Sequence, residues 1–309
     1  MKSRAYCCVL LSTIAVSIAA SVPSHARARV FVASYGNDSN PCTFLSPCRT
    51  FQQAVDVVDA GGEVAAIDSA GFGPITITQP VTITSPNGVE AGIAIPSGGT
   101  GITINLSEFE GVNLQGLTID GGTVGTTGIQ FNSGASLVVE NCVIRNMSND
   151  GINVYNSVGM VQLLISNSLI ANNGFYGIFV FPKGTAGATA TFNRVEVSSN
   201  TQGNIVLEAD KTSGIVSGTA VDSISLGSDG AGYEVYGPAT LNVFRSVASY
   251  NGAGLDAELG GTIRLQQSMV TGSNFGWLAQ TGGSVLSHGN NSIDGNVGNP
   301  SPPPTLSLK

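Results

Sequence analysis

Carboxylic acids and aromatic residues recur at a regular spacing in the second half of this chain. The acids are Glu208, Glu234, Asp256 and Glu258. The aromatic residues are Tyr155, Phe179, Phe181 and Tyr236. Carboxylates on neighbouring elements can bind a cation such as Ca²⁺, or can raise one another's pKa. Exposed aromatic rings offer flat faces on which sugar rings can stack.

The spacing of these residues follows a sequence repeat. Successive units begin with GIQF, GINV, GIFV, NIVL, GYEV, GLDA and GWLA, at intervals of 22 to 28 residues from Gly128 onward. Each unit holds two or three segments of alternating apolar and polar residues, and none has the 3.6-residue period of an amphipathic helix. Gly, Asn and Ser fill the corners, where a positive φ is needed. The pattern predicts an all-β chain in which each unit forms one coil of a parallel β-helix.

The first strand of each unit predicts which side chains face solvent. Its second and fourth residues are apolar and should point inward, so the third and fifth should point outward. These outward positions are Asn153 and Tyr155, Phe179 and Phe181, Val206 and Glu208, Glu234 and Tyr236, and Asp256 and Glu258. Because neighbouring coils lie about 4.8 Å apart, we expect the eight acidic and aromatic residues to form one continuous surface, here called the outer strip.

Two interpretations of the outer strip remain open. In the first, it is a ligand-binding surface whose aromatic rings stack on sugars and whose carboxylates bind a cation or sugar hydroxyls. In the second, it is a solvated face, because exposed carboxylates repel one another only weakly in water and every soluble β-helix needs a polar exterior.

A column of polar residues is predicted at one corner of the coils. It consists of Asn141, Asn167, Asn193, Asp222, Arg245 and Gln267. Polar side chains at turns can satisfy the backbone groups of neighbouring turns. We therefore interpret the column as a structural ladder.

The segment 27–68 differs from the coils and predicts an N-terminal strand followed by a short capping helix. Phe51, Ala54, Val55 and Val58 form one apolar stripe, which Gly61-Gly62 ends. Such a cap covers the apolar core and the strand edges that the first coil would otherwise expose. The coils are then expected over 69–295, and the Pro- and Ser-rich segment 296–309 is predicted to be a flexible C-terminal tail.

Residues 1–26 have the features of an export signal peptide. Lys2 and Arg4 precede an apolar run, and Ser24-His25-Ala26 matches a small-x-Ala cleavage site. The alternative is an uncleaved anchor, but the run is short and rich in small residues. Cleavage would change the formal net charge from −8 to −10 and leave no transmembrane anchor, so we expect a secreted, periplasmic or cell-surface protein. Nucleic acid is not expected as a partner, because clustered Lys and Arg are lacking.

Three of the five cysteines lie beyond the predicted signal peptide. Cys42 and Cys48 bracket a short loop, and no second pair or nearby His completes a metal site, which favours a disulfide in an exported protein. Strand alternation leaves Cys142 either in the core or on the surface. We interpret it as a buried, inert thiol.

The repeats, together with the opening VASYGNDSNPCTFLSPCRTFQQAV, resemble bacterial right-handed β-helix proteins of the pectin-lyase-like superfamily. This resemblance covers nearly all of the mature chain at the level of fold. The chain is also similar to a group of exported bacterial β-helix proteins with the same Cys-Thr…Pro-Cys-Arg-Thr-Phe start, for which the resemblance implies no settled activity. Enzymes of the superfamily carry their catalytic groups on the outer face of one parallel sheet.

The polygalacturonases of this superfamily use an Asn-x-Asp-Gly, an Asp-Asp and a His-Gly element on successive coils. Asn149-Asp150-Gly151-Ile152 resembles the first element, but Phe175-Tyr176 stands where the aspartates should be and Gln202 where the histidine should be. Ser287-His288-Gly289 lies several coils away. Inverting hydrolysis needs two carboxyl groups about 6.5–9.5 Å apart, so we interpret Asp150 as a turn residue.

These observations favour two function classes over a third, an adhesin or passenger module, which would predict a C-terminal translocator barrel or a multi-domain partner. The first is an exported glycan-binding or structural protein with no recognisable catalytic constellation, for which a polysaccharide or cell-envelope glycan is the expected partner and Ca²⁺ a candidate ligand. The second is a polysaccharide lyase or glycoside hydrolase that acts through the acids of the outer strip. A lyase would also need a basic residue beside these acids, and neither Lys211 nor Arg245 falls on the strip.

Overall fold

The computed structural model describes residues 27–298 and 301–306, so the signal peptide predicted at residues 1–26 lies outside the described residues. The described chain contains the helix α1 (Phe51–Val57) and thirty strands. The strands are β1 (Arg29–Val32), β2 (Glu63–Ala66), β3 (Ala70–Gly71), β4 (Ile75–Ile77), β5 (Val81–Thr84), β6 (Ala91–Ala94), β7 (Thr100–Asn105), β8 (Gly111–Gln115), β9 (Leu117–Asp120), β10 (Thr127–Ser133), β11 (Ser136–Glu140), β12 (Val143–Arg145), β13 (Ile152–Val154), β14 (Met160–Ser166), β15 (Leu169–Ala171), β16 (Tyr176–Val180), β17 (Gly187–Asn193), β18 (Glu196–Ser198), β19 (Gly203–Glu208), β20 (Val216–Val221), β21 (Ile224–Leu226), β22 (Ala231–Tyr236), β23 (Thr240–Phe244), β24 (Val247–Ser249), β25 (Ala253–Glu258), β26 (Thr262–Gln266), β27 (Met269–Thr271), β28 (Phe275–Gln280), β29 (Ser284–Ser287) and β30 (Ser292–Asp294).

The strands form three parallel sheets along the described chain. The eleven-stranded sheet has the order β1-β2-β5-β8-β11-β14-β17-β20-β23-β26-β29. The ten-stranded sheet has the order β3-β6-β9-β12-β15-β18-β21-β24-β27-β30. The nine-stranded sheet has the order β4-β7-β10-β13-β16-β19-β22-β25-β28. Each complete coil thus gives one strand to each sheet in turn, which confirms the parallel β-solenoid predicted from the repeat.

The core is built from stacked apolar columns. Ile129, Ile152, Ile178 and Ile205, the second residues of four successive repeats, are register partners in the nine-stranded sheet and are fully buried. The glycine before each of the first three permits this packing. At Gly151, for example, an added Cβ would lie 2.6 Å from the carbonyl oxygen of the next coil's glycine. The Gly-Ile start is therefore the sequence signature of a tightly packed corner.

Left-handed residues turn the chain at the corner between the eleven-stranded and ten-stranded sheets. They are Asn141, Asn167, Arg194, Asp222, Arg245 and Gln267, with φ between 46° and 53°. The predicted column was wrong at one position, because Asn193 is the last residue of β17 and Arg194 makes the turn. These side chains are exposed, and two pairs of them bond across coils. Arg194 Nε donates to Asn167 Oδ1 at 2.7 Å, and Arg245 donates from Nε to Asp222 Oδ1 at 2.7 Å and from Nη2 to Asp222 Oδ2 at 2.8 Å.

The buried ladder expected at this corner is formed by the next residue of each coil. The backbone N–H of Ser223 donates to Ser246 Oγ, and that of Ser246 donates to Ser268 Oγ, both at 3.1 Å. A second ladder lies at the corner before the nine-stranded sheet, where the N–H of Asn173 donates to Asn200 Oδ1 at 3.0 Å. These bonds satisfy backbone donors that the turns leave without a strand partner, so they fix the stacking of the coils.

The helix α1 lies at the N-terminal end, as predicted for a cap. It packs against β1, β2 and β4, and it buries Phe51, Ala54 and Val55. Thr50 is its N-cap and accepts a hydrogen bond from the N–H of Gln53 at 3.2 Å. Because β2 already pairs with β1 and β5, the sheet pairing begins within the segment assigned to the N-terminal strand and helix.

The cysteines have the states expected from the sequence. Cys42 and Cys48 form a disulfide. Cys142 is 1% exposed, and burial raises the pKa of its thiol to about 11. Within the residues described, no helix has the length and apolar character needed to cross a membrane.

The flexibility predicted for the C-terminal tail stays a prediction. Its described residues bond to the last coils: the N–H of Ser287 donates to the carbonyl oxygen of Pro304 at 2.9 Å, and the N–H of Leu306 donates to that of Ser287 at 2.7 Å. Trp277 Nε1 donates to the carbonyl oxygen of Ser301 at 3.0 Å. The described part of the tail thus lies against the end of the solenoid.

Candidate functional site

The outer strip lies on the exposed face of the nine-stranded sheet, over β13, β16, β19, β22 and β25. One column runs through Phe179, Val206, Glu234 and Asp256, which are successive register partners. The adjacent column runs through Glu208, Tyr236 and Glu258. Tyr155 and Phe181 follow the ends of β13 and β16, and their ring centroids are 5.8 Å apart. The structure therefore brings all eight predicted residues together on one face.

Four aromatic rings that contact one another in a row form one part of this face, here called the aromatic block: Tyr155, Phe181, Phe179 and Tyr176. The rings of Phe179 and Phe181 stack with centroids 5.3 Å apart and planes 19° apart. The ring of Tyr176 lies 4.6 Å from that of Phe179. Burial raises the pKa of Tyr176 to about 12, aided by Glu234 and Glu208, so this tyrosine lies near both the rings and the acids.

Tyr176 and Lys183 lie on this face although the sequence pattern did not predict either of them. The Nζ of Lys183 lies 4.2 Å from the ring centroid of Tyr155 and 4.7 Å from that of Phe181, which are cation–π distances. Lys183 belongs to the turn after β16, two residues beyond Phe181. The strand pattern ends before this turn, so alternation alone gave no signal for it.

The four acids form the acidic block: Glu208, Glu234, Asp256 and Glu258. Burial raises the pKa of Glu234 to about 8, and the charges of Asp256, Glu258 and Glu208 add to this effect. Burial and the adjacent Glu258 raise the pKa of Asp256 to about 6. Burial and the neighbouring Asp210 raise the pKa of Glu208 to about 7. At neutral pH the block therefore combines protonated and ionised carboxyl groups.

Asp256 is the most enclosed member of the acidic block. The residue is 9% exposed, and its Oδ1 has no hydrogen-bond partner. Its Oδ2 receives only a 3.5 Å contact from Nε2 of Gln280, which also donates to Glu258 Oε1 at 3.1 Å. A buried carboxylate oxygen without a donor is costly in free energy, and a ligand that supplies a donor would offset that cost.

Val206 separates the two blocks. It occupies an outward position between Phe179 and Glu234, as predicted, but it is only 1% exposed. Its side chain lies over Gly203 at the strand start, where an added Cβ would lie 3.0 Å from Val206 Cγ2. The strip therefore has a buried apolar junction between its aromatic and acidic halves.

The polygalacturonase-like elements do not assemble into a site. Asp150 is 2% exposed; it accepts hydrogen bonds from Asn153 Nδ2 at 2.7 Å and from the N–H of Tyr176 at 3.1 Å. Burial raises its pKa, and these bonds oppose the shift. His288 follows β29 of the eleven-stranded sheet, on another side of the coil. These contacts fit the interpretation of Asp150 as a turn residue, and through Tyr176 it also supports the aromatic block.

A Ca²⁺ site stays a prediction. Within residues 27–298 and 301–306, no three His, Cys, Asp or Glu side chains form a group that could hold a metal ion. Any cation bound by the acids of the strip would need further ligands from solvent or from a bound molecule.

Comparison with known proteins agrees with this architecture. Residues 100–297 match the family described as right handed beta helix region, and the chain belongs to that family. The crystal structure of a pectate lyase superposes with a TM-score of 0.55 at 16% sequence identity, covering 84% of this chain and 74% of that one. A rhamnogalacturonan lyase has a TM-score of 0.41 at 15% identity, covering 79% and 74% of the two chains. At 16% identity the likeness to the pectate lyase shows a shared fold alone. The likeness to the rhamnogalacturonan lyase is too weak to support a conclusion. No curated protein sequence matches the chain significantly.

Proposed function

We propose that this protein is an exported β-helix that binds an extended polysaccharide along the outer strip, at the cell surface, in the periplasm or outside the cell. The observation that carries the proposal is the aromatic block. Its four rings form a continuous row of contacts on the outer sheet face, where Tyr155 is 38% exposed and the other three rings are half-buried. Contiguous exposed apolar surface on a soluble protein marks a binding surface.

The rest of the strip suits the same ligand. Carboxyl groups whose pKa lies near neutrality can donate or accept hydrogen bonds, as sugar hydroxyls require. The strip runs along the solenoid axis with one coil about every 4.8 Å, so a linear polymer can contact successive coils. The Cys42–Cys48 disulfide supports the export part of the proposal, because disulfides persist in oxidising compartments.

The proposal is tested by glycan-array binding of the mature protein, with Ca²⁺ and with a chelator, using Phe181→Ala as the binding variant. Phe244→Ala is the matched control. Phe244 is also a half-buried outward aromatic residue with a cation over its ring, but it belongs to the eleven-stranded sheet. We expect Phe181→Ala to lose glycan retention and Phe244→Ala to keep it, with both variants retaining the β-sheet circular dichroism of the parent.

Two outcomes would contradict the proposal. If no polysaccharide is retained with or without Ca²⁺, or if Phe181→Ala binds as the parent does, the strip is a solvated face and the structural interpretation stands. Ca²⁺-dependent retention would support a cation between the acidic block and the glycan.

A hydrolytic activity is the second candidate, and one observation favours it. Glu234 and Asp256 are register partners on adjacent strands, with pKa values near 8 and 6. At neutral pH this places a protonated acid beside an ionised carboxylate, which is the pair that glycoside hydrolysis uses. The assay is release of reducing ends from every polysaccharide that binds. Loss of that release in Glu234→Gln with binding retained would support hydrolysis, whereas binding without cleavage would exclude it for that polymer.

A further inference from the structure

We propose that the polysaccharide bound by the outer strip carries free amino groups, which pair as ammonium ions with the acidic block while the sugar rings stack on the aromatic block. This inference rests on the proposed function, because it names the ligand class for the same surface.

The charge of the acidic block disfavours anionic sugars. Along the described residues, no salt bridge reaches Glu234, Asp256 or Glu258. The two lysines whose charges act on Glu208 are Lys183 and Lys211. Lys211 is bonded to Asp210, and Lys183 lies on the aromatic rings. A uronic-acid polymer would therefore bring its carboxylates against Asp256, which is ionised at neutral pH and has no ion-pair partner among the described residues, and such like-charge contacts suppress binding.

The unpaired oxygen of Asp256 indicates what the ligand must supply. Asp256 is faced by Glu234 from β22, by Gln280 from β28 and by Glu258 from its own strand. Of the two Asp256 oxygens, the amide of Gln280 donates only to Oδ2, and Oδ1 receives no hydrogen bond. A second unpaired atom, Asn153 Oδ1, lies at the aromatic end and is also an acceptor. An ammonium group supplies three donors and a positive charge, whereas a hydroxyl supplies one donor.

The chain itself shows how an ammonium group is accommodated on this face. Nζ of Lys183 lies over two rings of the aromatic block, at 4.2 Å and 4.7 Å from their centroids, and its charge acts on Glu208. An amino group therefore finds both cation–π and carboxylate partners on the strip. Because coils repeat about every 4.8 Å, amino groups along a linear polymer come within reach of successive coils.

The test compares three hexasaccharides in isothermal titration calorimetry near pH 6.5: β-1,4-linked glucosamine, its fully N-acetylated counterpart and oligogalacturonate. Acetylation removes the charge and keeps the ring faces. We expect the glucosamine hexamer to bind roughly tenfold or more tightly than the acetylated one, as one charge-assisted hydrogen bond implies. Added salt should weaken the glucosamine complex and leave the acetylated complex nearly unchanged.

The double variant Asp256→Asn with Glu258→Gln should lower glucosamine affinity to the level of the acetylated hexamer. Glu196→Gln, an exposed acid on the ten-stranded sheet, is the control and should change nothing. Equal or tighter binding of the acetylated or galacturonate hexamer would overturn this inference and leave the proposed function standing. Failure of all three hexamers and of the wider glycan panel would overturn both.

Discussion

Replacing Glu234 with Gln is expected to stabilise the fold at alkaline pH and to have little effect at acidic pH. Glu234 lies in the acidic block beside Asp256, Glu258 and Glu208. Burial and these three carboxyl groups raise its pKa from 4.5 to about 8. Above that pH the folded protein must hold a charge that burial and repulsion both oppose. Gln keeps the shape of the side chain and removes the charge.

The size of the change in the free energy of unfolding follows from the coupling between proton binding and folding. Between the two pKa values the folded state binds the proton and the unfolded chain does not, so stability falls as the pH rises. The stability that the protonated Glu234 provides is fully present below about pH 4.5 and is lost as the pH rises through 8. The difference between a pKa of 4.5 in the unfolded chain and about 8 in the folded protein, at about 1.36 kcal/mol per pH unit, gives an upper bound of about 5 kcal/mol. Because the side chain is partly exposed, solvent screening reduces this, and we expect about 2–3 kcal/mol above pH 9.

The assay is denaturant unfolding followed by circular dichroism, at pH 4 and at pH 9.5, on the parent and the variant. The parent should have the lower midpoint at pH 9.5, and the midpoints should converge at pH 4. Glu196→Gln, which removes an exposed acid outside the strip, should leave the midpoint unchanged at either pH. Equal midpoints for parent and Glu234→Gln at pH 9.5, or a larger difference at pH 4, would refute the reasoning.

Three further predictions concern the scaffold. Reduction of the Cys42–Cys48 disulfide should lower stability by about 2 kcal/mol, as loop closure over six residues implies, in unfolding with and without reductant. Cys142 should resist iodoacetamide in the folded protein and react after denaturation, because its thiol is buried with a raised pKa; mass spectrometry decides this. Asn200→Ala should cost about 3 kcal/mol by leaving the buried N–H of Asn173 without its acceptor, and an unchanged thermal midpoint would contradict the ladder.

The fold was predictable because a solenoid repeats its constraints. Each Gly-Ile start predicts one inward residue. Ile129, Ile152 and Ile178 lie in register because every coil packs the same residue types at this position. The corner column matched the left-handed turn residues except at Asn193, where Arg194 takes that position, but the buried ladder is formed by the next residue of each coil. Alternation thus gives the direction of side chains in strands, whereas the exact turn residue depends on loop length.

The outer strip was predictable as a surface but not in its details. Alternation placed Phe179, Glu234 and Asp256 on one face, but it gives no information on depth, so the burial of Val206 was not foreseen. Tyr176 and Lys183 lie at the start of a strand and in a turn, where side-chain direction is set by backbone geometry that the repeat does not encode. Whether the strip binds a ligand stays a prediction.

The stacking of coils also has a mechanical consequence. Strands run around the solenoid, so the backbone hydrogen bonds between coils point along its axis. Tension between the two ends therefore acts on the hydrogen bonds of the terminal coil first, and the fold unfolds coil by coil from one end. Each released coil of 22 to 28 residues adds roughly 70–100 Å of contour length. A polymer bound across several coils would fasten them to one another, so tension would release that group of coils only at a higher force.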